Sequence, residues 1–101
     1  MEIADILSAG KENAVTRERL CVILNQPDRT VRRMIQEARD RGVLIMNDQD
    51  GAGYYLSEDL SDLKRQYNRG RARAMSILRQ QKYLKRKIKE LEQADQMSIG
   101  T

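Results

Sequence analysis

The chain has 101 residues, 34% of them charged and 40% apolar, with no Trp, no Phe and no His. That length holds one small domain and at most one appendage, with a core of Leu, Ile, Val, Met and Tyr. No apolar run approaches the roughly 18 residues of a membrane span and no charged-then-apolar start marks a signal peptide, so neither is expected. The lone Cys21 excludes an internal disulfide and fits a reducing cytosol. One Cys without His argues against a metal site and leaves no nucleophile–base pair, so neither a cofactor nor an enzymatic activity is expected.

The net charge of +4 conceals a segregation. Residues 1–63 hold 8 basic and 12 acidic groups, residues 64–89 hold 11 basic groups and no acid, and Glu90, Glu92 and Asp95 follow. Positive potential is concentrated on one late segment.

In chain order, Ile3, Ile6 and Leu7 are spaced for one face of a short helix that Ser8-Ala9-Gly10 closes. Lys11 to Asn13 reads as a loop and Ala14-Val15 as a strand stub. Thr16 is placed to cap a second helix, with Glu18 in the first turn where the dipole favours a carboxylate. That helix runs through Leu20, Cys21, Ile23 and Leu24, and Asn25 suits a left-handed turn. Pro27 fits the first position of a third helix. Val31, Met34, Ile35 and Ala38 give this helix an apolar face, while Arg29, Arg32, Arg33, Gln36 and Arg39 share the other without an acid among them. Gly42 terminates it. Val43–Met46 and Tyr54–Leu56 then form a hairpin around the turn-prone 47–53, with Tyr54 and Tyr55 on opposite faces.

Ser57 is expected to cap the last helix, with Glu58 and Asp59 in its first turn. Leu60, Leu63, Tyr67, Gly70, Ala74, Ile77, Gln81, Leu84, Ile88 and Leu91 alternate in steps of three and four, a heptad seam over 58–92. With Leu60 at position a, Lys64, Arg71, Arg73, Lys85 and Lys87 occupy the e and g rims, nearly all one sign. In a parallel homodimer such rims are expected to repel; packing on the protein's own acidic first domain or that of a second copy, an acidic partner, or DNA would relieve the strain.

The stretch D-R-T-V-R-R-M-I-Q-E-A-R-D-R-G-V-L-I followed by G-A-G-Y-Y-L resembles the winged helix-turn-helix family of type 11, which includes the biotin-repressor DNA-binding domain and many sugar-operon regulators. The likeness covers about Ile3 to Ser57, and the extension after it is similar to short winged-helix proteins of phages and prophages of Gram-positive bacteria. The heptad pattern gives a long basic helix over 58–93 and leaves 94–101 as a disordered tail, and the resemblance implies a winged helix-turn-helix over 1–57, a mainly α fold with a small β-hairpin. It further implies bacterial cytoplasm as the compartment and places Arg29, Thr30, Arg32 and Arg33 against DNA bases. The chain departs from the family at Pro27, where a capping Ser is usual. It departs again at the wing tip, where Asp48 and Asp50 replace a basic residue and argue against a wing–DNA contact.

The expected function is therefore sequence-specific binding of double-stranded DNA by a dimeric phage-type transcriptional regulator. Gln36 and Arg39 extend the reading face, and Thr16 and Arg17 offer a helix N-terminus to phosphate. Leu60, Leu63, Tyr67, Ala74, Ile77, Leu84, Ile88 and Leu91 are the expected dimer seam, and no membrane contact is expected. The alternative is a protein-interaction or nonspecific nucleoprotein module in phage replication or packaging, its basic helix gripping an acidic protein partner or nucleic acid.

Overall fold

The computed structural model describes residues 2–48 and 53–99, with side chains through residue 96. It is mainly helical: α1 (Ile3–Ile6), a 3-10 turn (Lys11–Asn13), α2 (Arg17–Leu24), α3 (Asp28–Asp40), the antiparallel strands β1 (Ile45–Asn47) and β2 (Tyr54–Leu56), and α4 (Leu60–Ile99). Two units divide the chain, one ending at Gln66 and the other beginning at Tyr67, so the boundary falls inside α4.

Local chemistry sets most element ends. Thr16 Oγ1 accepts from the Arg19 amide at 3.2 Å and caps α2. Asn25 takes the left-handed conformation, φ 51°, and turns the chain through Gln26 and Pro27 into α3. Pro27 lies one residue outside α3, and its carbonyl accepts from the Val31 amide at 3.1 Å. At the other end Gly42 has φ 96°, its amide donates to Arg39 O, and the Val43 amide donates to Ala38 O, both at 3.0 Å. This double return of amides to orphan carbonyls is a Schellman ending.

Ile3, Leu7, Leu20, Val31, Ile35, Ala38 and Ile45 form the buried core, with Met34, Leu24, Cys21 and Tyr54 packed around it. Of the apolar residues expected inside α2, only Leu20 is fully buried, and Ile23 is exposed. β2 is paired on both edges. Register with β1 matches Met46 to Tyr55, while on the other side Val15 and Tyr54 exchange amide bonds at 2.8 and 2.9 Å and Leu56 donates to Ser8 O. The stub at Val15 thus joins the sheet as a single bridge.

The hairpin has two buried faces. Ile45 belongs to the core, whereas Met46 and Tyr55, one position on, must point the other way. There the first turns of α4 meet them: Arg65 hydrogen-bonds the Tyr55 phenol, and Gln66 Oε1 accepts from the Asn47 amide at 3.3 Å. Asp48 does not project from the hairpin. Its carboxylate is nearly buried and pairs with Lys11 Nζ at 3.1 Å and Arg65 at 4.0 Å. Residues 49–52 of the turn expected over 47–53, Asp50 among them, lie outside the described residues.

The cap of α4 differs from expectation by two residues. Asp59 Oδ2 accepts from the Asp62 amide at 3.1 Å, making Asp59 the capping residue. Ser57 Oγ instead accepts from the Asp59 amide and donates to Asp62 Oδ2. An aspartate set three residues before an amide competes well for this position, and Ser57 orders the loop before it. α4 continues to Ile99, past the end expected near 93; its 40 residues span about 60 Å at 1.5 Å per residue.

Gly53 and Gly70 respond oppositely to alanine. At Gly53, φ is 108° and an added Cβ would lie 2.3 Å from the Val15 carbonyl oxygen, whereas at Gly70 nothing stands within 4 Å. Gly53→Ala is expected to lose about 1–3 kcal/mol, and Gly70→Ala to raise helix content with a gain of about 1 kcal/mol or less; urea unfolding followed by circular dichroism measures both.

Tyr55 makes the first unit alkali-sensitive. Burial pushes its phenol above the ordinary value of 10.0, against the opposing pull of the Arg65 hydrogen bond. A phenol raised in the folded state holds its proton longer there than in the unfolded chain. Its stabilisation is complete below pH 10 and declines as pH climbs toward the folded-state value. Thermal melts of the wild type should fall between pH 9.5 and 11 more steeply than those of Tyr55→Phe; parallel curves would remove Tyr55 as the cause.

Candidate nucleic-acid interface

The exposed side of α3 and the start of α2 bring cations together, but not all those expected. Arg29, Arg32, Arg33 and Gln36 are exposed along α3. Arg29 has no carboxylate partner among the described residues, and Arg33 Nε lies 4.0 Å from Glu37. Arg32 Nε pairs with Asp28 Oδ2 at 2.8 Å. Gln36 Nε2 donates to Asp40 Oδ1 at 3.1 Å, one turn along the helix.

Asp28, to which the sequence pattern assigns no role, links two helices. Its second oxygen, Oδ1, accepts from Arg17 Nε at 2.5 Å, so a single carboxylate at the start of α3 joins an arginine of α2 to one of α3. Arg17 also hydrogen-bonds the Tyr54 phenol, and this bond, followed by the Asp28 contact, raises the guanidinium pKa. Arg17 is consequently held by three elements, α2, α3 and β2. Its position one residue after the cap of α2 was legible; its partners were not, because they come from 11 and 37 residues away.

Two expected contacts are relocated. Thr30 is half-buried and lines a shallow groove with Ile23, Leu24, Gln26, Arg33 and Met34, between α2 and α3 rather than on the outer face. Arg39 leaves the exposed face altogether. Its Nε and Nη2 donate to the Ile45 carbonyl at 3.2 and 3.0 Å, Nη2 also reaches Asn47 Oδ1 at 3.0 Å, and the guanidinium lies 5.9 Å from the Tyr54 ring centre. The helical period places it beside Gln36, but the hairpin folded against the last turn of α3 offers a carbonyl that a long side chain can satisfy. Arg39 is a brace between α3 and β1.

On α4 from Tyr67 onward, Lys64's successors at Arg71, Arg73, Arg79, Lys82, Lys85 and Lys89 are exposed and have no acidic partner among the described residues. Lys87 pairs with Glu90 at 3.6 Å, and Arg86 lies 5.7 Å from the Tyr83 ring centre. Tyr67, Ile77, Leu84, Ile88 and Leu91 of the seam are exposed, as is Ala74; Leu60 is exposed and Leu63 half-buried. Among the described residues no cluster of His, Cys, Asp or Glu is arranged to hold a metal, and no helix is long and apolar enough to cross a membrane.

No protein-family model, no curated protein and no solved structure matches the chain.

Arg39→Ala is expected to cost about 1.5–3 kcal/mol of stability through its charge-assisted bonds, while Arg29→Ala should leave unfolding within about 0.5 kcal/mol of wild type. Equal, small effects in chemical denaturation would mean that the hairpin is held without Arg39.

Proposed function

We propose that the chain is a winged helix-turn-helix protein of the type-11 kind that binds duplex DNA through α3, as phage-type regulators do. One observation carries the reading: Arg29, Arg32 and Arg33 stand exposed on the first turns of the helix that follows a three-residue turn from α2. Arginine forks match guanine O6 and N7 in the major groove, and Gln36 has the donor and acceptor to pair adenine once it leaves Asp40. Thr16 and Arg17 at the start of α2 flank this face and suit a phosphate contact. Arg39 has no part in reading, and β1–β2 supports α3 from behind through it. A dimer joined by α4 would offer two such faces to a symmetric operator.

The unpaired cations of α4 favour a second reading beside it: backbone contact without sequence preference, or an acidic protein partner.

Selection of bound duplexes from a randomised pool tests the first reading. An enriched motif is expected. Against that motif, Arg33→Ala should lose about 1–3 kcal/mol of discrimination from random DNA, whereas Lys82→Ala should weaken specific and random binding alike and flatten the salt slope. Binding without enrichment would leave only the nonspecific reading, and no binding at low salt would overturn both DNA readings in favour of an acidic protein.

A further inference from the structure

We propose that residues 67–91 of α4 pair with the same segment of a second copy as a parallel, two-stranded coiled coil whose register is fixed by Gln81. Eight large apolar residues on this stretch lie open, and five of them, Tyr67, Ile77, Leu84, Ile88 and Leu91, fall on the seam, with Met75, Leu78 and Tyr83 outside it. With Leu60 at a, the β-branched Ile88 takes an a position and Leu84 and Leu91 take d positions, the combination that favours two parallel strands. Gln81 occupies an a position between them, where a lone polar residue makes shifted registers costly. Gly70 and Ala74 allow the helices to approach closely toward the start of the seam.

Charge, which the rims taken as a whole set against such a dimer, resolves when the contacts are taken pair by pair. In a parallel coil each g residue meets the e residue five positions on in its partner. Gln66 then faces Arg71, Arg73 faces Leu78, Gln80 faces Lys85 and Lys87 faces Glu92. No cation meets a cation, and the last pair attracts. The remaining cations lie on the outer b, c and f positions, Arg69, Arg79, Lys82, Arg86 and Lys89, away from the seam.

The antiparallel alternative over the same residues meets two obstacles. It sets Leu91 of one copy against Tyr67 of the other, Ile88 against Gly70 and Ile77 against Gln81. It also brings Arg71 against Lys85, a like-charge pair that the parallel form avoids.

Because eleven cations of each copy lie alongside eleven of the other over residues 64–89, long-range repulsion opposes association even though no close pair repels. Salt shortens the Debye length from about 10 Å at 0.1 M to about 3 Å at 1 M. Dimerisation should therefore strengthen with salt, the opposite sign to phosphate binding. The inference deepens the dimeric part of the proposed function, but its test uses no DNA and so stands or fails separately.

The test is sedimentation equilibrium of the full chain between 0.1 and 1 M salt, joined to a spin label at Gln93→Cys in a Cys21→Ala background. Gln93 is an exposed f position, outside the seam. A dimer that tightens with salt is expected, with label separations within roughly 25 Å, the width of two packed helices. An antiparallel pair would separate the labels by about 40 Å along the axis and overturn the proposal. A monomer at every salt concentration would also overturn it. Leu84→Glu should abolish the dimer while preserving the thermal transition of the first unit; persistence of the dimer would place the interface elsewhere.

Discussion

The first unit depends on the alternation of β2, a strand of three residues with a different partner on each side. Tyr54 turns toward the helical core, where it meets Arg17 of α2 and lies under Arg39 of α3. Tyr55 turns away, is 1% exposed, and is held by Arg65 of α4. Both strand edges are occupied, by β1 and by the Ser8–Val15 segment. A two-stranded hairpin is marginal by itself. Here every helix of the unit except α1 places a side chain on one of its tyrosines, so the hairpin is a junction and not a loosely attached arm. A one-residue slip of β2 would exchange the two faces and break all these contacts together.

That junction explains how charge is distributed. Charged groups around the hairpin are tied: Arg39 to the Ile45 carbonyl, Asp48 to Lys11, and Arg65 to Asp62 and Tyr55. Groups on the outer side of α3 have weaker or local partners, and Arg29 has none among the described residues. An exposed arginine is cheap to keep in water, so exposure alone would mean little. What distinguishes this face is its place on the first turns after a short helix–helix turn, with Asp28 contacting both Arg17 and Arg32; the proposed function rests on that placement. A fixed guanidinium loses less conformational entropy on meeting a phosphate or base than a free one.

How far these features are legible in the sequence follows the range of the interactions that make them. Thr16, Asn25 and Gly42 are readable because a cap or a left-handed turn is decided within four residues. The apolar face of α3 is readable because Val31, Ile35 and Ala38 repeat with the helix. Arg39 obeys the same repeat on the polar side, yet the hairpin captures it, and no periodicity contains that fact. Ile23 shows the converse: its apolar character suggests burial in an eight-residue helix, but α2 has one buried position, Leu20. Ser57 and Asp59 are both competent caps two residues apart, and the choice rests on which carboxylate or hydroxyl reaches an open amide. Asp28 was invisible because its role is set by Arg17, across the turn.

The two halves of the chain meet opposite electrostatic demands, and this joins the two proposals physically. Under the proposed reading, contact with DNA would draw cations toward phosphate and be weakened by salt, whereas the proposed pairing of α4 would have to overcome its own cations and be strengthened by salt. Phosphates running beside the outer b, c and f positions would screen the repulsion that salt otherwise relieves. DNA would then favour the paired state of α4, and by linkage the paired state would bind DNA more tightly than the single chain. In that arrangement the high charge of α4 is not an obstacle to dimerisation but a means of making it depend on the ligand.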